Sequence, residues 1–181
     1  AVGYGGPCFP RDNIAFAALA ERIGARADLA RATDAINRYQ IDRLAAAVTS
    51  RVSRGARVAV LGMSYKPDTV VIEESQGVML AQRLHGDGYR VTIHDPLSGT
   101  AAAQVLPQGV GQAGSAEEAI RAADIAVIVT PWPQYAQLHG PTGRSIPVID
   151  CWRIVPTQDS NGLRPVWLGY GEGAVTSPVG A

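Results

Sequence analysis

From Arg57 onward the chain alternates short, uninterrupted apolar runs with amphipathic segments, and that alternation leaves few folds open. RVAVLG (57–62), IAVIVT (125–130) and IPVID (146–150) lack the every-other-residue polar positions of a half-exposed strand, and RVTIHD (90–95) reads as their partner. Strands of that texture are buried on both faces, which is the mark of a parallel sheet. Between them ESQGVMLAQRLHG (74–86) and SAEEAIRAAD (115–124) have helical spacing, the second opened by a Ser115…Glu118 capping box. PVWLG (165–169) supplies a last strand. Strand–helix–strand repetition predicts an α/β fold, a doubly wound, Rossmann-like parallel sheet with right-handed crossovers over residues 55–170, followed by a loose tail at 171–181.

Residues 1–54 have a different character. AVGYGGPCFPRD is a Gly/Pro loop, and Asp12 reads as the N-cap of a helix over 13–23 that stops at Gly24. Residues 27–53 contain no Gly or Pro, and Leu29, Ala32, Ile36, Tyr39, Leu44, Val48 and Val52 fall close to one helical face. Such a helix runs roughly 40 Å at ~1.5 Å per residue. It either packs within one subunit or builds a homodimer, and its length favours the dimer.

Sixteen basic and sixteen acidic residues cancel, so no field draws in nucleic acid or an anionic membrane. The longest apolar stretch, Ile125–Thr130, is far too short to span a bilayer. No secretory signal is expected, and two cysteines do not make a disulfide framework, which points to the cytoplasm. No metal site is expected.

Ligands of doubly wound sheets bind beyond the carboxyl ends of the strands. The loop after the first strand, LGMSYKPDTVVIEES, has Gly62 but no GxGxxG, which argues against an ordinary dinucleotide site in this sheet. Lys66 offers a point charge for a phosphate or hydroxyl. It is the single lysine of a chain that otherwise uses 15 arginines, so a plain surface role competes with a functional one. Cys8 lies just before a helix start and three residues from Arg11, both of which favour a thiolate, although a lone cysteine also serves as an apolar filler. Cys151, at a strand end, reads as structural.

GYGGPCFPRD (3–12) resembles the catalytic-cysteine segment of the UDP-glucose/GDP-mannose dehydrogenase family, G-[FY]-G-G-x-C-F-P-[KR]-D. VAVLGMSYKPDTVVIEES (58–75) is similar to the family block V-x-[VI]-L-G-x-[AS]-[FY]-K-P-[DN]-T-x-D-x-R-E-S. HDP (94–96) matches [YH]-D-P, and VIDCWR (148–153) stands where the family has a D-G-R-N-like turn. The resemblance implies the C-terminal portion of an NAD-dependent nucleotide-sugar 6-dehydrogenase, without the N-terminal NAD-binding domain. It implies residues 1–54 as cysteine loop and central dimerising helix, and 55–170 as the UDP-sugar-binding domain. Family chemistry oxidises a sugar C6 alcohol to a carboxylate through a cysteine thiohemiacetal and thioester. The resemblance makes Cys8 the nucleophile, with Asp12 assisting water or proton transfer. It gives substrate contacts to Gly5, Tyr65, Lys66 and Arg153, and an NAD contact to Arg11.

Two positions depart from the pattern. Glu73 and Val71 replace the Arg and Asp of D-x-R-E-S, the Arg being the family's contact to the NAD pyrophosphate. Trp152 replaces the Arg of the D-G-R-N turn, with Arg153 one place later. The isolated chain is therefore expected to bind a nucleotide sugar, to bind NAD poorly and not to turn over. A non-catalytic nucleotide-sugar-binding or vestigial dimerising module is the alternative.

Overall fold

The computed structural model of the chain describes residues 2–156 and 162–168. Its six strands are β1 (Arg57–Leu61), β2 (Arg90–His94), β3 (Gly111–Gln112), β4 (Ile125–Ile128), β5 (Ile146–Asp150) and β6 (Leu163–Val166). All pairs are parallel, in the order β3-β2-β1-β4-β5-β6. The order reverses between β1 and β4, which puts the topological switch point there. The helices are α1 (Phe9–Arg22), α2 (Asp28–Thr49), α3 (Gln76–Gly86), α4 (Gly99–Val105) and α5 (Ala116–Ala122), with a 3₁₀ turn at Pro133–Gln137.

The uninterrupted apolar runs are explained by cover on both faces. Val58, Val60, Ile93 and Val127 point into a core closed by α3 and the carboxyl half of α2. Ala59, Leu61, Ala126 and Ile128 point the other way, against α5 and the 3₁₀ turn. Tyr135, from that turn, is fully buried there. Successive strand residues alternate between two cores, so neither set can be polar.

Three elements had no forecast. β3 is two exposed residues without an apolar run, α4 is a seven-residue Ala-rich helix, and the 3₁₀ turn opens on Pro133 after Trp132. β4 ends at Ile128, two residues short of its apolar run, because Val129 and Thr130 turn into the next loop. β6 starts at Leu163 and accommodates Pro165 as the outermost strand, where a missing ladder N–H costs little. The expected tail lies outside the described residues.

The N-terminal expectations need two corrections. Asp12 is not the N-cap: α1 begins at Phe9, with Cys8 in the capping position and Asp12 inside the first turn. Pro10 allows the earlier start, since its fixed φ suits the first turn and its missing N–H has no intrahelical acceptor there. The long helix is 22 residues, and its buried stripe is Ala30, Asn37, Ile41, Leu44, Ala45 and Val48. Leu29, Ile36 and Tyr39, assigned to that stripe from spacing, face outward, Leu29 being 85% exposed. Ala20, Ala27 and Ala30 pack α1 onto α2 instead. No helix among the described residues is long and apolar enough to cross a membrane.

Gly77 looks out of place in a helix, yet it sets how α3 meets the sheet. A Cβ at Gly77 would lie 1.9 Å from the Gly62 carbonyl oxygen. Gly62 itself has φ +99°, and a Cβ there would lie 2.4 Å from the Thr130 Cβ. The first turn of α3 therefore rests directly on the turn after β1. Gly77→Ala is expected to destabilise the fold by about 2 kcal/mol or more through overpacking against backbone. Gly86, at the end of the same helix, has open space around its Cβ position. Gly86→Ala is expected to be neutral or to stabilise by about 0.5 kcal/mol. Urea denaturation of the two variants checks the contrast, and equal midpoints would refute the close-approach account.

Candidate functional site

The loops leaving β1, β2, β4 and β5 meet at the carboxyl edge of the sheet and are tied to one another by buried and half-buried hydrogen bonds. Gly62 N–H donates to the His94 carbonyl at 2.8 Å. The Thr130 hydroxyl donates to the Ser64 carbonyl at 2.7 Å, and Trp152 Nε1 donates to the Val129 carbonyl at 2.6 Å. The Asp150 carboxylate holds the turn after β5 by accepting from Trp152 N–H at 3.0 Å and Val155 N–H at 2.8 Å.

Asp95, the residue after β2, is the hub of this edge. Its Oδ2 accepts from Met63 N–H (2.7 Å), Ser64 N–H (3.0 Å), Ser64 Oγ (3.1 Å) and Trp132 Nε1 (3.1 Å). Its Oδ1 accepts from Leu97 N–H (2.9 Å) and Ser98 N–H (2.8 Å). Burial pushes this carboxyl's pKa up, but the backbone N–H groups of Ser98, Ser64, Leu97 and Met63 outweigh it and leave the group below its ordinary value. His94 beside it is pushed down by burial against the opposing pull of Asp95. His94 Nδ1 lies 3.0 Å from the Tyr135 hydroxyl.

The glycine loop at the N-terminus docks on this edge. Tyr4 N–H donates to Asn37 Oδ1 at 2.7 Å, and the Tyr4 carbonyl accepts from Asn37 Nδ2 at 2.9 Å and Gln76 Nε2 at 3.1 Å. Gly6 N–H donates to the Glu73 carbonyl at 2.9 Å. The three glycines are steric requirements. A Cβ would lie 2.1 Å from Asn37 Oδ1 at Gly3, 2.3 Å from the Glu74 carbonyl oxygen at Gly5, and 2.8 Å from the Tyr65 ring at Gly6, where φ is +85°. Glu74 is held at φ +51° in the same contact and pairs with Arg38 at 2.8 Å.

The structure thus brings the cysteine loop and the Tyr65 loop together. Gly5 and Gly6 lie on Tyr65, and Lys66 Nζ is 5.6 Å from the centre of the Tyr65 ring. Cys8 is an exposed free thiol at the head of α1. Asp12 N–H donates to the Cys8 carbonyl at 2.8 Å, and the Asp12 carboxylate accepts from Arg11 Nε at 2.9 Å. An open groove of about 670 Å³ runs between Gly6, Pro7, Arg11, Ile14 and Glu73. Arg153 stands apart from this group in the sheet order. It lies beyond β5, two strands from β1, with its guanidinium 5.6 Å from the Trp167 ring centre and φ at +59°. Among the described residues no group of three or more His, Cys, Asp and Glu is gathered for a metal ion.

The sequence profile of the UDP binding domain of the UDP-glucose/GDP-mannose dehydrogenase family matches residues 59–157, more than half of the chain. The chain belongs to that family. It is 32% identical over 138 residues to the UDP-glucose 6-dehydrogenase YwqF of Bacillus subtilis, covering 75% of this chain and 31% of that protein. It is 34% identical over 161 residues to the UDP-glucose 6-dehydrogenase AglM of Haloferax volcanii, covering 87% and 37%. The UDP-glucose dehydrogenase structure from Pyrobaculum islandicum superposes with a TM-score of 0.77 at 30% identity, over 91% of this chain and 37% of that one. The chain spans about a third of the length of the relatives it matches.

Asn37, Gln76, Asp95 and Trp132 carry much of this geometry and were not singled out for it in the sequence. Asn37 left a usable signal: it falls at the stripe position that Ile41, Leu44 and Val48 continue, and a polar residue there needs a buried partner. The other three sit in loops or at helix starts, where no periodicity marks them.

Cys151 is buried, and burial together with Asp150 pushes its thiol up to about 12. Iodoacetamide on the native chain at pH 8 is expected to modify Cys8 and spare Cys151. Peptide mapping checks this, and preferential modification of Cys151 would overturn the assignment.

Proposed function

We propose that this chain is the cysteine-bearing, nucleotide-sugar-binding portion of a UDP-glucose 6-dehydrogenase-type oxidoreductase. Residues 1–54 act as cysteine loop and dimerising segment, and 55–170 as the nucleotide-sugar-binding domain. The observation that carries the reading is the docking of the Gly3–Asp12 loop on Tyr65 and Glu73, which sets an exposed thiol and the Lys66 loop on one surface.

In that reading the Cys8 thiolate adds to a sugar C6 aldehyde, forming a C–S bond and a thiohemiacetal. Water later cleaves the corresponding thioester, releasing the carboxylate and returning the thiol. Asp12, one helical turn on and paired with Arg11, orients that water or accepts its proton. Gly5, Tyr65 and Lys66 hold the sugar and its phosphates, and Arg153 approaches the nucleotide from the β5 turn.

The oxidation that makes the aldehyde and the one that turns the thiohemiacetal into the thioester each require a hydride acceptor, NAD in this family. The residues present do not fit it. The turn after β1 has no GxGxxG, its N–H groups are taken by Asp95, and Glu73 presents an exposed carboxylate beside Arg11, which repels phosphate. The isolated chain therefore binds a UDP-sugar and does not turn over. Glu73 is also what favours the second reading, a non-catalytic nucleotide-sugar-binding module. Two free cysteines suit a cytoplasmic setting.

A thermal-shift series tests the ligand. UDP-glucose at ten times its Kd is expected to stabilise the chain by about 1.4 kcal/mol, a rise of roughly 3 °C, and Lys66→Ala to lose it. NAD is expected to have no effect, and no NADH to form. Steady NADH production would overturn the inactive reading, and a shift with NAD but none with UDP-glucose would overturn the ligand.

The chain is further expected to form a homodimer. Ile14, Phe16 and Leu19 of α1, Ile23 just past its end, and Leu29, Ile36 and Tyr39 of α2 are all exposed, apolar side chains that a second copy would cover. Light scattering at tens of micromolar checks it: twice the 19.0 kDa chain mass is expected, and a monomer refutes it.

A further inference from the structure

An asparagine in the middle of a buried helical stripe serves its own helix badly: it is a poor helix former, and its amide has to leave water. Asn37 is 4% exposed and holds such a position in α2, in the stripe that Ile41, Leu44 and Val48 continue. Its amide is spent outside α2. Oδ1 accepts from Tyr4 N–H at 2.7 Å and Nδ2 donates to the Tyr4 carbonyl at 2.9 Å. One planar side chain thus addresses both polar groups of a single loop residue, as a paired strand does. Gln76 Nε2 donates to the same carbonyl at 3.1 Å. Tyr4 passes the hold on. Its ring centre is 5.1 Å from that of Phe9, and its hydroxyl accepts from Asn13 Nδ2 at 3.1 Å. Phe9 and Asn13 lie in the first turns of α1, and Cys8 is the residue directly before Phe9.

We propose that Asn37 is a positioning residue for Cys8: through the backbone and ring of Tyr4 it fixes where the thiol stands relative to Lys66 on the facing loop. The inference rests on the reading of Cys8 as the nucleophile and names what aims it. The two halves of Tyr4 are held from different sides, the backbone by α2 and α3 and the side chain by α1. Tyr4 therefore joins the head of α1 to helices anchored in the sheet's core, where Leu44 and Val48 of α2 and Leu80 and Leu84 of α3 are fully buried. The head of α1 has little anchorage of its own. Phe9 is 63% exposed, and Pro10 is the one buried residue of the first two turns. The loop is also fixed along its length. A Cβ at Gly3 would lie 2.1 Å from Asn37 Oδ1, and one at Gly5 would lie 2.3 Å from the Glu74 carbonyl oxygen. A slip of one residue in either direction would drive the Tyr4 side chain into one of those contacts. Leucine at position 37 would complete the apolar stripe but leave both polar groups of Tyr4 without their partner.

Lys66 is the single lysine of the chain, and of its two cysteines Cys8 is exposed and Cys151 buried. Maleimide–succinimidyl reagents of graded spacer length can therefore address the pair, with the Cys8–Lys66 bridge identified by peptide mapping. A thiol held in one place bridges best at the spacer that matches the span, whereas a thiol on a loose segment bridges over a range of lengths. The unaltered chain is expected to show a peak at one spacer, about five-fold above shorter and longer ones. Asn37→Leu and Tyr4→Ala are expected to flatten that profile to within about twofold. Val48→Ala, a core truncation further along the same helix and away from the loop, is expected to keep the peak. A flat profile in the unaltered chain, or no bridge at any length, would overturn the proposal. So would a peak that survives Asn37→Leu or Tyr4→Ala, or a Val48→Ala profile flattened to the same degree, which would make Asn37 a contributor to stability alone. If Asn37→Leu does not fold, Gly3→Ala decides, because its methyl group strikes Asn37 Oδ1 from the loop side: a flattened profile upholds the proposal and an unchanged peak refutes it. The spacer profile reads geometry and the UDP-glucose thermal shift reads the ligand, so either can fail while the other stands.

Discussion

The contact between Gly77 and the Gly62 carbonyl fixes the geometry on which the chemistry depends. A helix that rests on the turn after β1 without an intervening side chain can take only one depth and one angle. The residues ahead of Gly77 inherit that placement. Gln76 reaches the Tyr4 carbonyl, the Glu73 carbonyl accepts from Gly6 N–H, the Glu74 carbonyl lies against Gly5, and Tyr65 lies beneath Gly6. Cys8 follows two residues later. Adding one methylene between α3 and β1 would disturb this whole series, because the Gly77 and Gly5 approaches are made to backbone atoms that have no side-chain slack to absorb the shift.

The carboxyl edge is satisfied from within. Asp95 and Asp150 together gather the N–H groups of three loops, and Thr130 and Trp152 close the carbonyls between them. Such an edge is ordered before any ligand arrives, which lowers the entropy a ligand must overcome. Its strain is localised. The three non-glycine residues with left-handed backbone among the described residues, Asp68, Glu74 and Arg153, all lie in loops leaving β1 or β5. Each such residue costs of order 1–3 kcal/mol and persists because its surroundings hold it. Two of the three, Asp68 and Glu74, lie in the loop that carries Lys66.

The sheet was legible because its signal is redundant. Four apolar runs each demand cover on both faces, and no other arrangement supplies it. β3 and α4 escaped because they bury almost nothing: a two-residue exposed strand leaves no hydrophobic pattern to read. The start of α1 was misplaced because a strong capping residue, Asp12, lies within a proline's reach of an equally good beginning. The face of α2 was misjudged because the apolar residues of one helix were assumed to share one partner. Of the site, the glycines and Cys8 could be read from the loop's composition. Of the clamps only Asn37 left a mark, as a polar residue in an apolar stripe; Gln76 and Asp95 left none, because they act through backbone groups whose positions only the folded chain defines.

The misjudged helix face bears on the cysteine itself. Leu44, Ala45 and Val48 anchor the carboxyl half of α2 in the sheet's core, whereas the amino half and α1 bury little beyond Pro10, Ala20, Ala27 and Ala30. Cys8 is therefore positioned from two sides of unequal strength. On one side the Asn37–Tyr4–Gln76 clamp and the glycine contacts bind its loop to the sheet. On the other it heads a helix on which Phe16 and Leu19 share an exposed apolar face, with Ile14 exposed on another side. A helix held along one narrow alanine seam can rock about that seam, and its first turn carries Cys8 and Asp12 with it. Covering the apolar face removes that freedom. In the proposed dimer, with Cys8 in its proposed role, burial of that surface would steady the segment that carries the thiol.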